Sequence, residues 1–349
     1  MTRSTEAPSG RGVPVLSAPL LALIALLAAF LSLGLGRYGI SPAELLRALV
    51  TPVLHYYGAD VGADPTAVKI VWDVRLPRIL TALFAGGGLA AAGAALQGVF
   101  RNPLVDPHII GVTAGSAFGG ALGILAGLPI LFMMGSAFAT GLLALGLVCW
   151  AAFAAGREDR LMIVLAGIII AGVFSALVSL VQYSADAEET LPSIVFWLMG
   201  SFASANWPKA LWSSGVIVLA LAVLMRLRWR INLLSLDEKD AAALGVQTRG
   251  LRRAVLTLCA VVTAAQVSVS GAVGWVGLVV PHLARLIVGA DHRRLLPAAF
   301  WLGGAFMILV DDAARTLTAA EIPLGILTAL AGAPVFGALL IRSRRMLRE

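Results

Sequence analysis

Residues 161–181 read LMIVLAGIIIAGVFSALVSLV, an apolar stretch without a single charged side chain. A helix needs roughly 20 such residues to cross the hydrocarbon core of a bilayer. Comparable stretches recur along the chain, and together they predict ten membrane spans. These lie at about residues 16–36, 79–99, 109–128, 130–155, 161–181, 208–225, 254–272, 276–290, 295–313 and 323–341.

The composition leads to the same class of protein. Hydrophobic residues make up 59% of the 349 residues and charged residues only 13%, whereas about a quarter of the residues in a soluble domain are charged. Membrane strands would alternate apolar and polar residues, and these stretches do not. We therefore predict an all-α polytopic membrane protein in which residues 1–349 form one transmembrane domain.

The distribution of basic residues predicts the orientation. With both termini in the cytoplasm, 19 of the 26 Lys and Arg residues lie on the inner side, as the positive-inside rule requires. Residues 1–15 are then a cytoplasmic tail, and the first apolar stretch is a retained span because no signal-peptide cleavage motif closes it. The basic residues are scattered over short loops, so we expect no nucleic-acid partner.

Three further segments depart from simple spans. Residues 37–78 read as a polar outer loop, whereas residues 192–201 are apolar for too short a distance to cross and predict a half-helix at the periplasmic face. The eighth span is short and broken by Pro281. Ten spans that divide five and five give halves of opposite orientation, which is typical of inverted-repeat transporters.

Motifs for catalysis are missing from the sequence. It contains no GxxxxGK[ST] phosphate loop, no HExxH or CxxC metal motif and no G-x-S-x-G elbow. We therefore expect no catalytic residue and no metal site. An ion-coupled secondary transporter remains an alternative, although the spans lack the buried ionisable relay that it normally needs. A membrane scaffold without transport is a third reading.

One long charged segment, INLLSLDEKDAAALGVQTRGLRR, occupies residues 231–253 on the predicted inner side. Its spaced apolar residues predict one or two short amphipathic helices, with Gly245 as a C-cap. Such a segment is either a solvated loop helix or a docking piece for a cytoplasmic protein. A transporter without its own energy source has reason to carry a docking piece.

Within this segment, DAAALGV is similar to the EAA loop of ABC-importer permeases. Together with five other motifs, it resembles the iron-siderophore, haem and cobalamin permease family of type II ABC importers (FecCD/BtuC-like), over about residues 70–342. The motifs are VRLPRIL (74–80), GAALQGVFRNPLVDPHIIGVTAGSAFG (93–119), FWLMGSFASANW (196–207), INLLSLDEKDAAALGV (231–246), GWVGLVVPHLARLIVGADHRRLLP (274–297) and EIPLGILTALAGAPVFGALLIR (321–342).

The resemblance implies a homodimeric permease in the bacterial inner membrane, with ten spans per subunit. Two cytoplasmic ABC ATPase subunits would bind ATP and Mg²⁺, this chain would hold no cofactor, and a periplasmic binding protein would deliver the substrate. A ferric siderophore or haem is the expected substrate because that class is the most populous, with cobalamin next. Family members that carry oxyanions such as molybdate provide an alternative.

The resemblance also assigns roles to residues. The loop at 231–250 would dock the ATPase, Asn102 and Leu104 would lie at an inner gate, and Arg75, Arg78 and Arg315 would dock the binding protein. The polar partner that the gate should have at the start of the fifth span is missing, since Arg160 and Leu161 stand there. The remaining assignments are Asp237, Glu238, Asp240, Ala241, Ala242, Leu244 and Gly245 for ATPase docking, and Ser175, Ser179 and Gln182 for the translocation path.

The three arginines have a simpler explanation as well. Asp73, Asp311 and Asp312 lie close to them in the sequence, and ion pairs inside the protein would account for arginines on the outer side. Likewise, the path residues of the fifth span are as readily explained by ordinary helix packing. Both alternatives stay open from the sequence alone.

The predicted orientation can be tested by labelling single cysteines. In a variant without Cys149 and Cys259, we expect Lys239→Cys to react with a membrane-impermeant maleimide only after the cells are opened. Glu188→Cys, on the opposite side, should react in intact cells and serves as the control. Labelling of residue 239 from outside intact cells would contradict the topology.

Overall fold

The computed structural model describes residues 17–58, 61–156, 160–234 and 247–346, and these residues are helical with short connections. The predicted all-α class is confirmed. The α-helices are α1 (Ala18–Gly34), α2 (Pro42–Tyr56), α3 (Pro65–Lys69), α4 (Leu76–Phe100), α5 (Val112–Leu125), α6 (Ile130–Ala154), α7 (Arg160–Ser184), α8 (Thr190–Leu198), α9 (Trp207–Leu233), α10 (Thr248–Ser270), α11 (Val276–Val288), α12 (His292–Thr316) and α13 (Leu324–Met346).

Ten apolar helical segments correspond one by one to the predicted spans. Six are long and apolar enough to cross a membrane, namely the continuous helix Pro65–Phe100 and α6, α7, α9, α10 and α12. Four are shorter apolar helices, namely α1, α5, α11 and the segment Leu324–Ala338 of α13. The half-helix is also confirmed as α8, whose nine residues rise only about 14 Å.

The outer segment at 37–78 is more ordered than the polar loop predicted from its composition. It contains α2, in which Ser41 caps the first turn by accepting a hydrogen bond from the backbone N–H of Glu44. Leu45 and Ala48 are buried on one face of α2, and the indole of Trp72 donates to the carbonyl oxygen of Ala48. A capped amphipathic helix therefore packs on the bundle in place of the predicted polar loop.

Helix α4 is the central element. A π-helical turn at Ile70–Arg75 joins α3 to α4, so the helix runs without a break from Pro65 to Phe100. Nearly all of α4 is buried, and it contacts α12, α9, α10 and α11. Its small residues make that possible, because helices associate in lipid by close backbone approach.

Two glycine contacts fix the position of α4. A Cβ on Gly86 would overlap the carbonyl oxygen of Gly303 on α12, and a Cβ on Gly303 would overlap that of Gly86. Further along, a Cβ on Gly93 would overlap the carbonyl oxygen of Gly277 on α11. These atoms belong to the backbone of packed helices and cannot rotate away, so only glycine fits at these positions.

We expect Gly93→Ala to weaken the packing of α4 on α11, at a cost of about 1–3 kcal/mol, the usual range for overpacking a core. Gly146→Ala on α6 is the matched control, since its new Cβ would meet nothing within 4 Å. The control should be neutral or slightly stabilising because alanine favours helix over glycine. Thermal unfolding of the detergent-solubilised proteins measures both effects, and equal unfolding temperatures would contradict the packing argument.

Candidate functional site

The predicted docking arginines come together at one end of the bundle, and Arg78 has two acidic partners there. Arg78 lies on α4. Its guanidinium group donates from Nε to Oδ2 of Asp311 and from Nη2 to Oδ1 of Asp311, both at 2.9 Å. It also donates from Nη1 and Nη2 to Glu321, again at 2.9 Å. Arg78 thus binds two carboxylates bidentately, which ties α4 to α12 and to the segment that precedes α13.

The positive charge of Arg78 also acts on Glu321, which lies between α12 and α13. Burial raises the pKa of Glu321, but the hydrogen bonds and the charge of Arg78 outweigh this effect. The net pKa therefore lies below the ordinary value of 4.5. Glu321 is consequently ionised at neutral pH and completes the pair with Arg78.

Arg315 plays a similar part between α12 and α1. It forms an ion pair with Asp312 and donates to the carbonyl oxygens of Ser32 and Leu35, at 2.8 and 3.0 Å. The hydroxyl of Ser32 donates to Asp312 at 2.6 Å. The end of α1 is therefore held to α12 by a closed set of hydrogen bonds.

Arg75 is buried as well, but it bonds to the backbone. At the end of the π-helical turn its guanidinium group donates to the carbonyl oxygens of Leu33 and Tyr38. Asp73, two residues earlier, is exposed. The ion-pair explanation is thus confirmed for Arg78 and Arg315, with Asp311 and Asp312 as partners, whereas Arg75 closes the connection between α1 and α2.

All three arginines border one cleft of about 180 Å³, together with Arg37, Tyr38 and Glu321. The sequence therefore placed them correctly in one region. The sequence did not indicate Ser32 as a partner of Arg315 or Glu321 as a partner of Arg78. Neither residue lies in the same motif as the arginine that it contacts. Docking of a binding protein at this cleft stays a prediction.

The predicted gate residues lie in the turn that follows α4. Arg101 ends α4 in the left-handed conformation, with φ = 52°, and the side chain of Asn102 accepts a hydrogen bond from the backbone N–H of Leu104 at 2.9 Å. Leu104 is 49% exposed. Asn102 therefore shapes the turn and presents Leu104 at its surface, while the gating role of the two residues stays a prediction.

A contact at this end was not visible in the sequence. The carbonyl oxygen of Leu234, just after α9, accepts from Arg101 Nε at 3.0 Å and from Arg160 Nη2 at 3.1 Å. Asn232, on the last turn of α9, donates to the carboxylate of Asp291, the N-cap of α12, at 2.7 Å. The end of α9 is thereby fastened to the gate turn, to α7 and to α12.

Leu234 lies inside the predicted ATPase-docking loop at 231–250. The first residues of that range, 231–233, instead form the last turn of α9, and its last residues, 248–250, begin α10. The seven predicted docking residues, from Asp237 to Gly245, lie outside the described residues. Their role stays a prediction. The described residues show that the start of this loop is anchored to the turn that holds Asn102 and Leu104.

The predicted path residues lie on α7, where Ser175 and Ser179 are exposed and Gln182 is half-buried. The half-helix α8, which follows α7, is fastened to two other helices by backbone hydrogen bonds. Leu324 and Gly325 of α13 donate to Gly200 and Met199, at 2.9 and 3.0 Å, and the N–H of Ser201 donates to Ser270 of α10 at 2.9 Å. The backbone that follows α8 is therefore fixed to α10 and α13, while lining of a path by the three polar residues of α7 stays a prediction.

Comparison with known proteins now decides the family. The sequence pattern of the FecCD transport family matches residues 23–342. The chain belongs to this family. The resemblance inferred from the six motifs is thus confirmed and extends beyond the range over which those motifs indicated it.

The FecCD relatives include permeases named for different substrates. The molybdate import system permease protein MolB of Haemophilus influenzae is 50% identical over 325 residues, which are 93% of this chain and 95% of that protein. The cobalamin import system permease protein BtuC of Halobacterium salinarum is 41% identical, over 79% of this chain and 74% of that protein. A solved inward-facing structure of a putative metal-chelate type ABC transporter superposes with a TM-score of 0.84 at 49% identity, covering 93% of this chain and 98% of that chain.

Membership of the FecCD family makes this chain the permease subunit of an ABC importer and a multi-pass membrane protein. Such permease subunits are not catalytic. The family works with ATPase and binding-protein partners.

Mutation can distinguish the contribution of the buried Arg78 ion pairs to stability from that of an exposed ion pair. We expect Arg78→Gln to destabilise the protein by about 3–5 kcal/mol, because it leaves two carboxylates near each other without their buried partner. Arg47→Gln is the control, since Arg47 forms an exposed ion pair with Glu44 at 3.8 Å, of a kind that contributes only about 0–1 kcal/mol.

Thermal unfolding in detergent measures both arginine variants. An Arg78→Gln/Asp311→Asn/Glu321→Gln triple variant should recover part of the loss, since it removes the unpaired charges. If Arg78→Gln unfolds at the same temperature as Arg47→Gln, the Arg78 pairs do not hold the bundle together.

Proposed function

We propose that this chain imports molybdate or a closely similar tetrahedral oxyanion as the homodimeric permease of an ABC importer. The identity of 50% with the molybdate permease over nearly the full length of both chains carries this proposal. The cobalamin permease shares only 41%, over 79% of the chain. The substrate differs from the iron chelate expected from the sequence motifs.

The chemistry of the proposed path is compatible with an anion. Helices α7, α8 and α13 contain no Asp or Glu, so no carboxylate of these helices would repel a dianion. Ser175, Ser179 and Gln182 offer hydroxyl and amide donors, which hydrogen-bond to oxyanion oxygens. These groups are neutral, so they can pass an anion along without holding it tightly.

A metal chelate is the second candidate. The solved structure with 49% identity is described as a putative metal-chelate type transporter. Ferric siderophore, haem and cobalamin are the chelates that the sequence motifs led us to expect. A path lined by neutral side chains such as Ser175, Ser179 and Gln182 would also admit such ligands. Because the external binding protein would select the substrate, the permease itself constrains the choice only weakly.

The proposed dimer is supported by the surface of α7 and α13. Both helices expose large apolar side chains in the single chain, among them Ile168, Ile169, Leu180 and Leu330. A second copy would cover part of this surface and enclose the proposed path between the two subunits. The exposed Ser175 and Ser179 would then face the path from each subunit.

The proposed assembly has a fixed orientation. The chain lies in the bacterial inner membrane with both termini in the cytoplasm, in agreement with the distribution of Lys and Arg residues. Two ATPase subunits, which bind ATP and Mg²⁺, dock at the loop 231–250. A periplasmic binding protein docks over Arg75, Arg78 and Arg315, and this chain binds no cofactor.

Transport assays can decide the substrate. We expect proteoliposomes that contain the permease and its ATPase, with ATP inside the lumen and the binding protein outside, to accumulate molybdenum. Accumulation should depend on ATP, and tungstate should compete because it is a tetrahedral dianion of nearly the same size. The metal content of the vesicles, measured by mass spectrometry, gives the result.

Ferric siderophore, haem and cobalamin serve as parallel substrates in the same vesicles, and vesicles without ATP give the background. Accumulation of iron or cobalamin without molybdenum would overturn the oxyanion proposal in favour of the chelate. Accumulation of none of them by vesicles with a functional ATPase would contradict both candidates.

A further inference from the structure

A cavity of about 400 Å³ lies where the ends of α6, α7 and α10 meet on the predicted cytoplasmic side. It is separate from the gate turn and from the proposed path residues. The residues that line it are Cys149, Trp150, Ala152, Phe153, Ile163, Arg249, Arg252, Arg253 and Leu256. The described lining combines three arginines with an apolar wall and includes no carboxylate.

The three arginines share one face of α10. Their positions, i, i+3 and i+4, place Arg249, Arg252 and Arg253 next to each other on the first turns of the helix. Arg249 and Arg253 are exposed, whereas Arg252 is buried. Each of them carries a positive charge, so an anion bound among them would be attracted by all three.

The opposite wall of the cavity is apolar. Trp150 and Phe153, on the last turns of α6, are 66% and 68% exposed, and Ala152 and Leu256 are buried behind them. Tryptophan is enriched at the level of the lipid headgroups, with its ring against the upper acyl chains. The cavity is therefore amphipathic, with a basic side and an apolar side.

We propose that this cavity binds the phosphate of an anionic phospholipid. Arg249 and Arg253 bind the phosphodiester oxygens, and the upper part of the acyl chains lies along Trp150 and Phe153. Guanidinium groups suit this ligand because they donate in pairs to phosphate oxygens. Basic pockets between helices on the cytoplasmic side are favourable sites for anionic headgroups.

The apolar wall distinguishes a lipid from a soluble phosphate. A free phosphate would gain the arginine contacts but nothing from Trp150 and Phe153. A zwitterionic lipid would gain the apolar contacts, but its ammonium group would weaken the attraction to the arginines. An anionic phospholipid gains both.

Native mass spectrometry of the delipidated full-length permease tests the proposal. Phosphatidylglycerol is titrated against phosphatidylcholine for the wild type and for Arg249→Gln/Arg253→Gln, which leaves the buried Arg252 in place. We expect the wild type to prefer phosphatidylglycerol and the variant to bind it at least ten-fold more weakly, as two surface arginines predict. Trp150→Ala should weaken the binding of phosphatidylglycerol as well.

The matched control is Arg226→Gln/Arg230→Gln. These two arginines are exposed near the cytoplasmic end of α9, and they do not line the cavity. The control variant removes the same charge and should keep the wild-type preference. Unchanged unfolding temperatures in both variants would confirm that lipid loss does not follow from misfolding.

Three results would overturn the proposal. Equal loss of phosphatidylglycerol in both double variants would mean that the lipid responds only to the overall surface charge. Displacement of the lipid by millimolar inorganic phosphate, at the concentration at which phosphate itself binds, would identify a simple phosphate site. Wild-type lipid binding by Trp150→Ala would show that the apolar wall plays no part.

Discussion

The backbone contact between Gly86 of α4 and Gly303 of α12 sets the register of the two helices around which the permease is built. The helices run in opposite directions, so residues equally far from the contact lie side by side. Arg78 and Asp311 are each eight residues away on the same side, about 12 Å along the helices. The bidentate ion pair depends on this register.

The register of α4 and α12 also fixes contacts at the other end of the bundle. There His292, the first residue of α12, packs against Gly98 of α4 and contacts the carbonyl oxygen of Ala94 at 3.3 Å. His292 also bonds through its backbone N–H to Asn232 of α9 at 2.9 Å. One antiparallel helix pair thus connects the arginine cleft at one end to the anchored end of α9 at the other.

The two ends differ in how they hold charge. At the arginine cleft Arg78 and Arg315 are buried and ion-paired, which makes them costly to disturb and gives the outer surface a fixed shape. At the opposite end Arg101 and Arg160 bond to one carbonyl oxygen, and Arg249 and Arg253 are exposed beside an apolar cavity. A binding protein would therefore meet a rigid surface, whereas the predicted ATPase loop includes a point, Leu234, that is held by hydrogen bonds.

The sequence by itself determined the spans, the half-helix α8 and the family, because apolar length and short motifs are local properties that need no knowledge of packing. It also offered Asp311 and Asp312 as one explanation of the outer arginines, since they are neighbours of Arg315 in the chain, but it offered the exposed Asp73 equally. Only the tertiary structure showed that Glu321 completes the Arg78 site and that Leu234 receives Arg101 and Arg160. These groups are brought together by the packing of helices far apart in the sequence. Every residue has a backbone carbonyl, so the sequence does not show that the carbonyl of Leu234 accepts these hydrogen bonds. The capped helix α2 was missed for a related reason: its apolar residues are interspersed with Glu44, Arg47 and His55, and only packing against the bundle defines the face that buries Leu45 and Ala48.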